Sequence, residues 1–424
     1  MSLAPPVDPQ ETLQRKERYY RRNFISLMLE SFFFAFALAL FSPENVLPVY
    51  VASYSDRAIL IALISALHYG LSYSCTVVSS VIGVAAKSPK WISVIICFLQ
   101  RVGFFLIYLS TYMASGSKEL ALVMFFVSLS LYAGSAGMSS PLFAQMVGTS
   151  IHRNVGTFYG AYSMVGSASG VLASVVLARS LATLPFPLNF RQVFLFGLLS
   201  SLVATVVVAV GVKEVTDDRV REQIRFREIF SIGRQILRDN RNFRNYTMIK
   251  VLVGAAEFAI PYYILVANGL EGVPPGFVGI LSMVYLIAKM MGAMVMGRIG
   301  DRFGPMMILR CSCLCGAAAA LLAILSRDYR VSMVMYALLA VAVVGVMMSN
   351  SVACITYSGN QRTPVYAATV GLLGAPLYVL SSFGGAAIAT RFSHTAMFLV
   401  ALGVYLLSAA LTYRLKETGP RGKQ

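Results

Sequence analysis

The sequence predicts an all-α membrane protein of twelve transmembrane helices grouped as two six-helix bundles, and three observations predict it. Of 424 residues, 57% are hydrophobic and only 12% charged, with a mean hydropathy of +0.71, a balance that ordinary soluble domains do not show. Apolar stretches of about 20 residues, the length that crosses a hydrocarbon core of ~30 Å, recur roughly twelve times with short polar breaks between them. One long polar interruption, Lys213 to Asn245, divides those stretches six and six. The strict apolar/polar alternation of a transmembrane barrel is absent.

Taken in order, the helices of the first half fall at about 24 to 51, 57 to 86, 91 to 114, 119 to 148, 154 to 180 and 190 to 212. Those of the second half fall at about 246 to 269, 275 to 299, 305 to 326, 330 to 358, 363 to 390 and 393 to 415. The chain then divides into an N-terminal segment (1–23), a first bundle (24–212), a linker (213–245), a second bundle (246–416) and a tail (417–424). The first apolar run follows the basic stretch Lys16 to Arg22 as a signal sequence would, but it is too long and lacks a small-residue cleavage site, so it stays as helix 1. Pro43 and Pro48 in helix 1, Pro141 in helix 4, Pro261 in helix 7 and Pro376 in helix 11 remove backbone hydrogen bonds and should bend their helices where freed carbonyls find protein or water. Small residues crowd helix 5 (Gly156, Gly160, Gly166 to Gly170) and helix 11 (Gly371, Gly374, Gly384, Gly385), which lets backbones approach along a seam. In the linker, Ile224, Ile229, Ile232, Ile236 and Leu237 recur at helical spacing among arginines, as in an amphipathic helix lying on the inner membrane surface or a solvated connecting helix. Arg22-Asn23-Phe24 before helix 1 and Arg244-Asn245-Tyr246 before helix 7 form a faint internal repeat.

The net charge of +17 follows topology rather than marking a nucleic-acid face. With the N-terminus inside, bases crowd the inner loops and tails, from Arg15 to Arg22, through Lys87, Lys90, Arg153 and the Lys213 to Arg244 cluster, to Arg298, Arg302, Arg310, Arg362, Arg414 and Lys416. The outer loops hold only Arg57, Lys118, Arg179, Arg191, Arg327, Arg330 and Arg391, so the positive-inside rule puts both termini inside, in the cytoplasm. All six cysteines fall within predicted helices, and Cys311-x-Cys313-x-Cys315 puts its middle member on the opposite face, which disfavours disulfide, zinc or redox roles. Neither a phosphate-cradling glycine-lysine loop nor a H-E-x-x-H or G-x-S-x-G pattern occurs, so neither an ATP-driven pump nor an enzyme is expected, and no cofactor or metal is implied. Methionines at Met283, Met290, Met291, Met294 and Met296 raise a copper carrier as an alternative, against ordinary packing.

The most informative segment is Gly297-Arg298-Ile299-Gly300-Asp301-Arg302-Phe303-Gly304, where a membrane helix ends in small residues, an acid, a base and a turn glycine. It resembles the G-x-x-x-D-R-x-G loop of the major facilitator superfamily, which joins the second and third helices of a six-helix half, and the pattern is nearest to bacterial drug/proton antiporters. The resemblance implies two bundles related by a pseudo-twofold axis along the membrane normal, with substrate near mid-membrane between them. It also implies a gating role for Gly297, Asp301, Arg302 and Gly304, with Asp301 latching onto the start of helix 11, where unpaired N–H groups favour an anion. The corresponding first-half segment, Gly83 to Lys90, keeps a glycine and bases but lacks the acid and the turn glycine, so the latch is one-sided.

Five ionisable residues fall deep in apolar runs: Glu30, Arg101, Glu257, Lys289 and His68. Each costs ~3 kcal/mol or more at the bilayer centre and should face the interior with a partner. Glu257, about 16 Å into helix 7 at 1.5 Å per residue, matches Lys289 in depth, and Glu30, about 10 Å into helix 1, matches Arg101. Lys250 and Glu44 lie nearer helix ends, within reach of water. A buried glutamate that loads and releases a proton as a cavity alternates sides would drive a solute; a structural pair fixing helix register is the plainer reading. His68 with Tyr69, Ser72, Tyr73 and Ser74 makes a polar face, and Gln145 and Asn350 are uncharged candidates for the same cavity. Phe32, Phe33, Phe34, Phe36, Phe41, Tyr262 and Tyr263 would give it aromatic walls suited to an apolar or amphipathic solute. The expectation is a monomeric secondary transporter, proton-coupled, taking a small-molecule substrate across the lipid bilayer. A uniporter, a lipid or lysolipid flippase, and a transport-silent receptor or assembly factor on the same scaffold are the alternatives.

Overall fold

The computed structural model describes residues 9–55, 57–85, 88–113, 116–151, 155–214, 226–358 and 363–414. Ile224, Lys87 of the first-half loop, Arg153, Arg362 and the tail lie outside the described residues. Among the described residues, twelve helices are long and apolar enough to cross a membrane. They are helix 1 (Pro9–Leu40, resuming as Val46–Ala52), helix 2 (Ala58–Ala85), helix 3 (Pro89–Met113), helix 4 (Lys118–Ser150), helix 5 (Val155–Thr183) and helix 6 (Leu188–Val206, ending in a π turn Val207–Gly211). A linker helix (Phe226–Asp239) leads to helix 7 (Arg241–Ala256, a 3-10 turn Glu257–Ala259, then Ile260–Asn268), helix 8 (Phe277–Phe303), helix 9 (Pro305–Leu325), helix 10 (Tyr329–Ser358), helix 11 (Thr363–Arg391) and helix 12 (His394–Arg414). Twelve crossings return the chain to its starting side, so both ends and the linker share one face, called here the terminal face.

Helix 1 starts at Pro9 rather than near residue 24, because its basic stretch of good helix formers simply continues the apolar helix. That extension has a purpose at Arg22 and Asn23. The Arg22 guanidinium donates to the Gly211 and Val210 carbonyls, both at 2.8 Å, where helix 6 leaves its last carbonyls unpaired. Asn23 donates to Ser150 O at 3.2 Å and Lys213 O at 2.9 Å, stitching helix 1 to the ends of helices 4 and 6. In the second half the end of helix 12 is held by Arg310 of helix 9, which donates to Thr412 O at 2.8 Å, so the sequence repeat is not a repeat of function.

Proline acts unevenly. Pro43 lies in the break of helix 1, and Pro261 opens the segment that follows the 3-10 turn of helix 7, where its missing N–H costs nothing. Pro141 and Pro376 lie inside helices that continue without interruption.

Packing differs at the two faces. Away from the terminal face the halves share one core, in which Leu47, Tyr50, Ile61 and Ile64 join Tyr262, Tyr263, Phe277 and Leu281. Tyr262 also donates across the halves to Ala58 O at 2.8 Å. Toward the terminal face each half has its own core, Leu27, Met146, Phe158 and Val208 in the first and Tyr246, Val253, Leu309 and Tyr405 in the second. The seams follow the same rule. Helices 5 and 8 touch where Gly276, at φ +76°, and Gly279 lie against Ala178, and again where Gly170 meets Leu286. Helices 2 and 11 touch from mid-membrane toward the terminal face, through Gly70 and Val379 and through the stacked rings of Tyr73 and Tyr378, 4.8 Å apart. Helix 5 thus forms a seam as its small residues predict, though Gly166 faces Ser31 and Ala35 of helix 1 instead.

The linker helix docks on both halves. Its Ile229, 2% exposed, packs with Val77 of helix 2 and Ala368 of helix 11, and Gly233 lets Thr369 come close. Ile229 therefore bridges the halves. Ile229→Ala should cost about 2–5 kcal/mol of that docking. Tryptic cutting after Arg234, inside the linker helix, should rise accordingly; an unchanged cutting rate counts against the bridge.

Candidate functional site

Between the halves lies a cavity of about 500 Å³. Its walls follow from helical spacing: Ser31, Phe34, Ala35 and Leu38 share one face of helix 1, and Ser282, Tyr285, Leu286, Lys289, Met290 and Ala293 share one face of helix 8. Tyr162, Ser163, Gly166 and Gly170 of helix 5, His68 of helix 2, Tyr132 of helix 4 and Val344 of helix 10 complete them. The break in helix 1 between Leu40 and Val46 turns Glu44 and Asn45 onto the wall.

Glu44 accepts hydrogen bonds from Ser42 Oγ at 2.9 Å and Tyr69 Oη at 3.2 Å. Four wall atoms are buried without a hydrogen-bond partner in the protein: Asn45 Oδ1, His68 Nδ1, Ser282 Oγ and Tyr285 Oη. The His68 ring lies between Tyr69 and Tyr132, with centroids 5.1 and 5.4 Å away. Lys289 places its ammonium 5.7 Å from the Tyr285 ring centre. A convergent set of unsatisfied polar atoms with one charge of each sign, set among aromatic and aliphatic walls, is equipped to bind an organic solute.

The residues singled out by sequence are only partly gathered here. Lys289 and His68 line the cavity. Glu30 lies behind its wall, where Tyr162 donates to it at 2.8 Å while presenting its ring to the cavity. Arg101 shares a small internal void with Glu30 but does not close to ion-pair distance; it donates to Ser201 O at 3.2 Å and to Gln100, with Phe34 4.7 Å from its guanidinium. The pairing of Glu257 with Lys289 is not formed. Glu257 meets Lys250 at 4.0 Å, two turns earlier on its own helix, and Lys250 also donates to Tyr378 Oη at 2.7 Å. Lys250 is 3% exposed rather than wetted, because Gly254 makes room for the Tyr378 ring to cover it. Tyr262 and Tyr263 belong to the shared core away from the cavity, with Tyr263 against Phe398 at 4.7 Å. Gln145 is exposed on helix 4, and Asn350 is half-buried with an unpartnered Oδ1 but off the wall. Of the aromatics, Phe34 lines the cavity whereas Phe41 is stacked between Phe104 and Phe194.

Sequence reasoning missed Glu44, Tyr285, Ser282 and Tyr378. For helix 8 the clue is spacing, since Ser282 and Tyr285 precede Lys289 by one and two turns. In the loop segment, Gly304 makes the turn at φ +84°, helix 8 runs to Phe303, and Asp301 and Arg302 are exposed. Residues 359–362, just before helix 11, lie outside the described residues. Met290 faces the cavity while Met294, at 58% exposed, points away, so the two do not converge on a cation. Among the described residues no group of three His, Cys, Asp or Glu side chains is placed to hold a metal, and the cysteines are free.

The model of the Major Facilitator Superfamily matches residues 170–365 of this chain. Over the whole chain the fold is shared with solved transporters. The nucleoside transporter NupG is similar with a TM-score of 0.65 at 11% identity, covering 94% of this chain and 100% of that one. The xylose transporter XylE of E. coli, in a partially occluded inward open conformation, gives 0.65 at 11% identity, covering 96% and 100%. An auto inhibited peptide transporter of the POT family gives 0.69 at 11%, covering 95% and 99%. No curated protein sequence matches the chain significantly. The chain is an integral membrane protein of twelve membrane-crossing helices with the transporter fold. Its fold is that of the major facilitator superfamily, whose family model matches residues 170–365.

Proposed function

We propose that the protein is a secondary transporter that moves a small amphipathic organic solute across a bacterial inner membrane by alternating access, coupled to protons, in the manner of a drug/proton antiporter. The observation that carries this reading is the cavity itself, built from both halves, with one shared core beyond it and two separate cores on the terminal side. Two bundles that share their main core at one face, and are tied at the other through the linker helix and helices 2 and 11, have a second arrangement available in which more of the contact moves to the terminal face. Base distribution assigns the terminal face to the cytoplasm, so this arrangement is the inward-facing one. Three carboxylates support coupling by their placement: Glu44 on the wall, Glu30 one tyrosine behind it, and Glu257 paired with a lysine.

The test is uptake by purified protein in liposomes, with and without an imposed pH gradient, across panels of apolar and amphipathic solutes. Glu30→Gln and Glu257→Gln should retain counterflow and lose gradient-driven accumulation. Unchanged accumulation in both variants rejects coupling through these residues and leaves a uniporter or a flippase. No uptake of any solute favours a transport-silent receptor.

A further inference from the structure

We propose that the cavity binds a zwitterion with an apolar body, its cationic end received by Glu44 of helix 1 and its anionic end by Lys289 of helix 8. This rests on the carrier reading above and names the solute class.

Glu44 and Lys289 lie on the wall of one cavity and come from opposite halves. Neither has an opposite charge within ion-pair distance among the described residues. Glu44 accepts only from the neutral hydroxyls of Ser42 and Tyr69, and Lys289 is recorded only against the Tyr285 ring, 5.7 Å away. The contrast is Lys250, whose charge is matched by Glu257 inside the second half. A membrane protein that holds two unmatched charges on the wall of one cavity keeps them for something that brings the complement.

The signs select the ligand. With one acid and one base facing the same space, a pure anion is repelled by Glu44 and a pure cation by Lys289, whereas a molecule carrying both charges satisfies both. His68 Nδ1, Ser282 Oγ and Tyr285 Oη, buried and unpartnered on the same wall, supply hydrogen bonds to the polar ends. Phe34, Leu38 and Met290 face whatever lies between them. A ligand anchored to both halves also draws them together. That is the difference in interaction energy between open and closed states that any ligand-driven closure needs, and a ligand held by one half alone does not provide it.

The test is calorimetric binding to the full-length protein in lipid nanodiscs, which requires no transport. Two probe triplets are titrated: leucyl-leucine, its N-acetyl form (anion alone) and its methyl ester (cation alone); and hexylphosphocholine, hexyl phosphate and hexyltrimethylammonium. In at least one triplet the zwitterion should bind about thirtyfold or more tightly than either partner. Lys289→Gln should erase its advantage over the cation-alone probe while keeping that over the anion-alone probe, and Glu44→Gln should do the reverse. Misfolding cannot produce that crossed pattern, and the thermal midpoints of both variants check it independently. The proposal is overturned if no zwitterion binds, if a singly charged probe matches the zwitterion in both triplets, or if stably folded variants lose both preferences alike. Uptake of any solute in the liposome panel alongside such a failure leaves the carrier reading intact.

Discussion

Lys250→Met is expected to destabilise the protein by about 3–5 kcal/mol, the cost of leaving one member of a buried ion pair without the other. The ammonium lies 4.0 Å from Glu257 and donates to Tyr378 at 2.7 Å, with the lysine 3% and the glutamate 8% exposed. Methionine keeps the apolar stem and its packing against Gly254 and Tyr378, so the loss reports the charge rather than a cavity. The carboxylate is left in apolar surroundings and the tyrosine hydroxyl loses its donor. Thermal unfolding followed by size exclusion should show a midpoint roughly 5 °C lower or more. Removing both charges, as Lys250→Met with Glu257→Leu, should recover most of that stability, because an apolar pair of similar volume bears no desolvation cost. A single variant as stable as the parent would falsify the buried pair.

Gly279→Val should move the protein from one access state to the other. A Cβ at this position overlaps the backbone of Ala178, which cannot swing aside as a side chain would. Neighbouring Gly276, at φ +76°, fixes the chain's direction here, so helix 8 cannot rotate the new group away. Overpacking of this kind costs about 1–3 kcal/mol, enough to change the ratio of two states by roughly fivefold to a hundredfold or more. The cost falls only on the arrangement in which helices 5 and 8 touch at this end. With the six native cysteines replaced, Ser282→Cys on the cavity wall should be labelled by an impermeant maleimide from the terminal side in the parent and from the opposite side once Gly279→Val is added. Labelling from the terminal side in both, with unchanged thermal midpoints, removes the wedge argument.

The spans were legible because length and apolarity are local properties that each segment carries by itself. The loop segment at Gly297 to Gly304 was legible for the same reason, and Lys289 because a charge amid apolar residues must turn inward. Partners were harder. Depth arithmetic matched Glu257 with Lys289, yet Lys250 wins through sharing a helix face two turns away and through a tyrosine from helix 11 that covers it, which no single segment announces. Glu44 was assigned to water from its place near a helix end. Its position on the wall depends on the break after Leu40, where proline and the Ser42 hydroxyl, which donates to Glu44 and accepts from the Asn45 N–H, redirect the chain. The linker's apolar spacing is plain in the sequence, but periodicity gives no indication of whether lipid or protein covers an apolar face.

In the proposed alternating-access cycle, the unequal seams set where the molecule would pivot. Ile229 ties helices 2 and 11 at the terminal face, while helices 5 and 8 meet at Ala178 near the opposite face and at Gly170 near mid-membrane. Any swing that leaves the linker helix seated turns about the bound edge, like the covers of a book about its spine. Displacement then grows across the width of the protein, and the pages part furthest at helices 5 and 8, on the side that looks into the acyl chains.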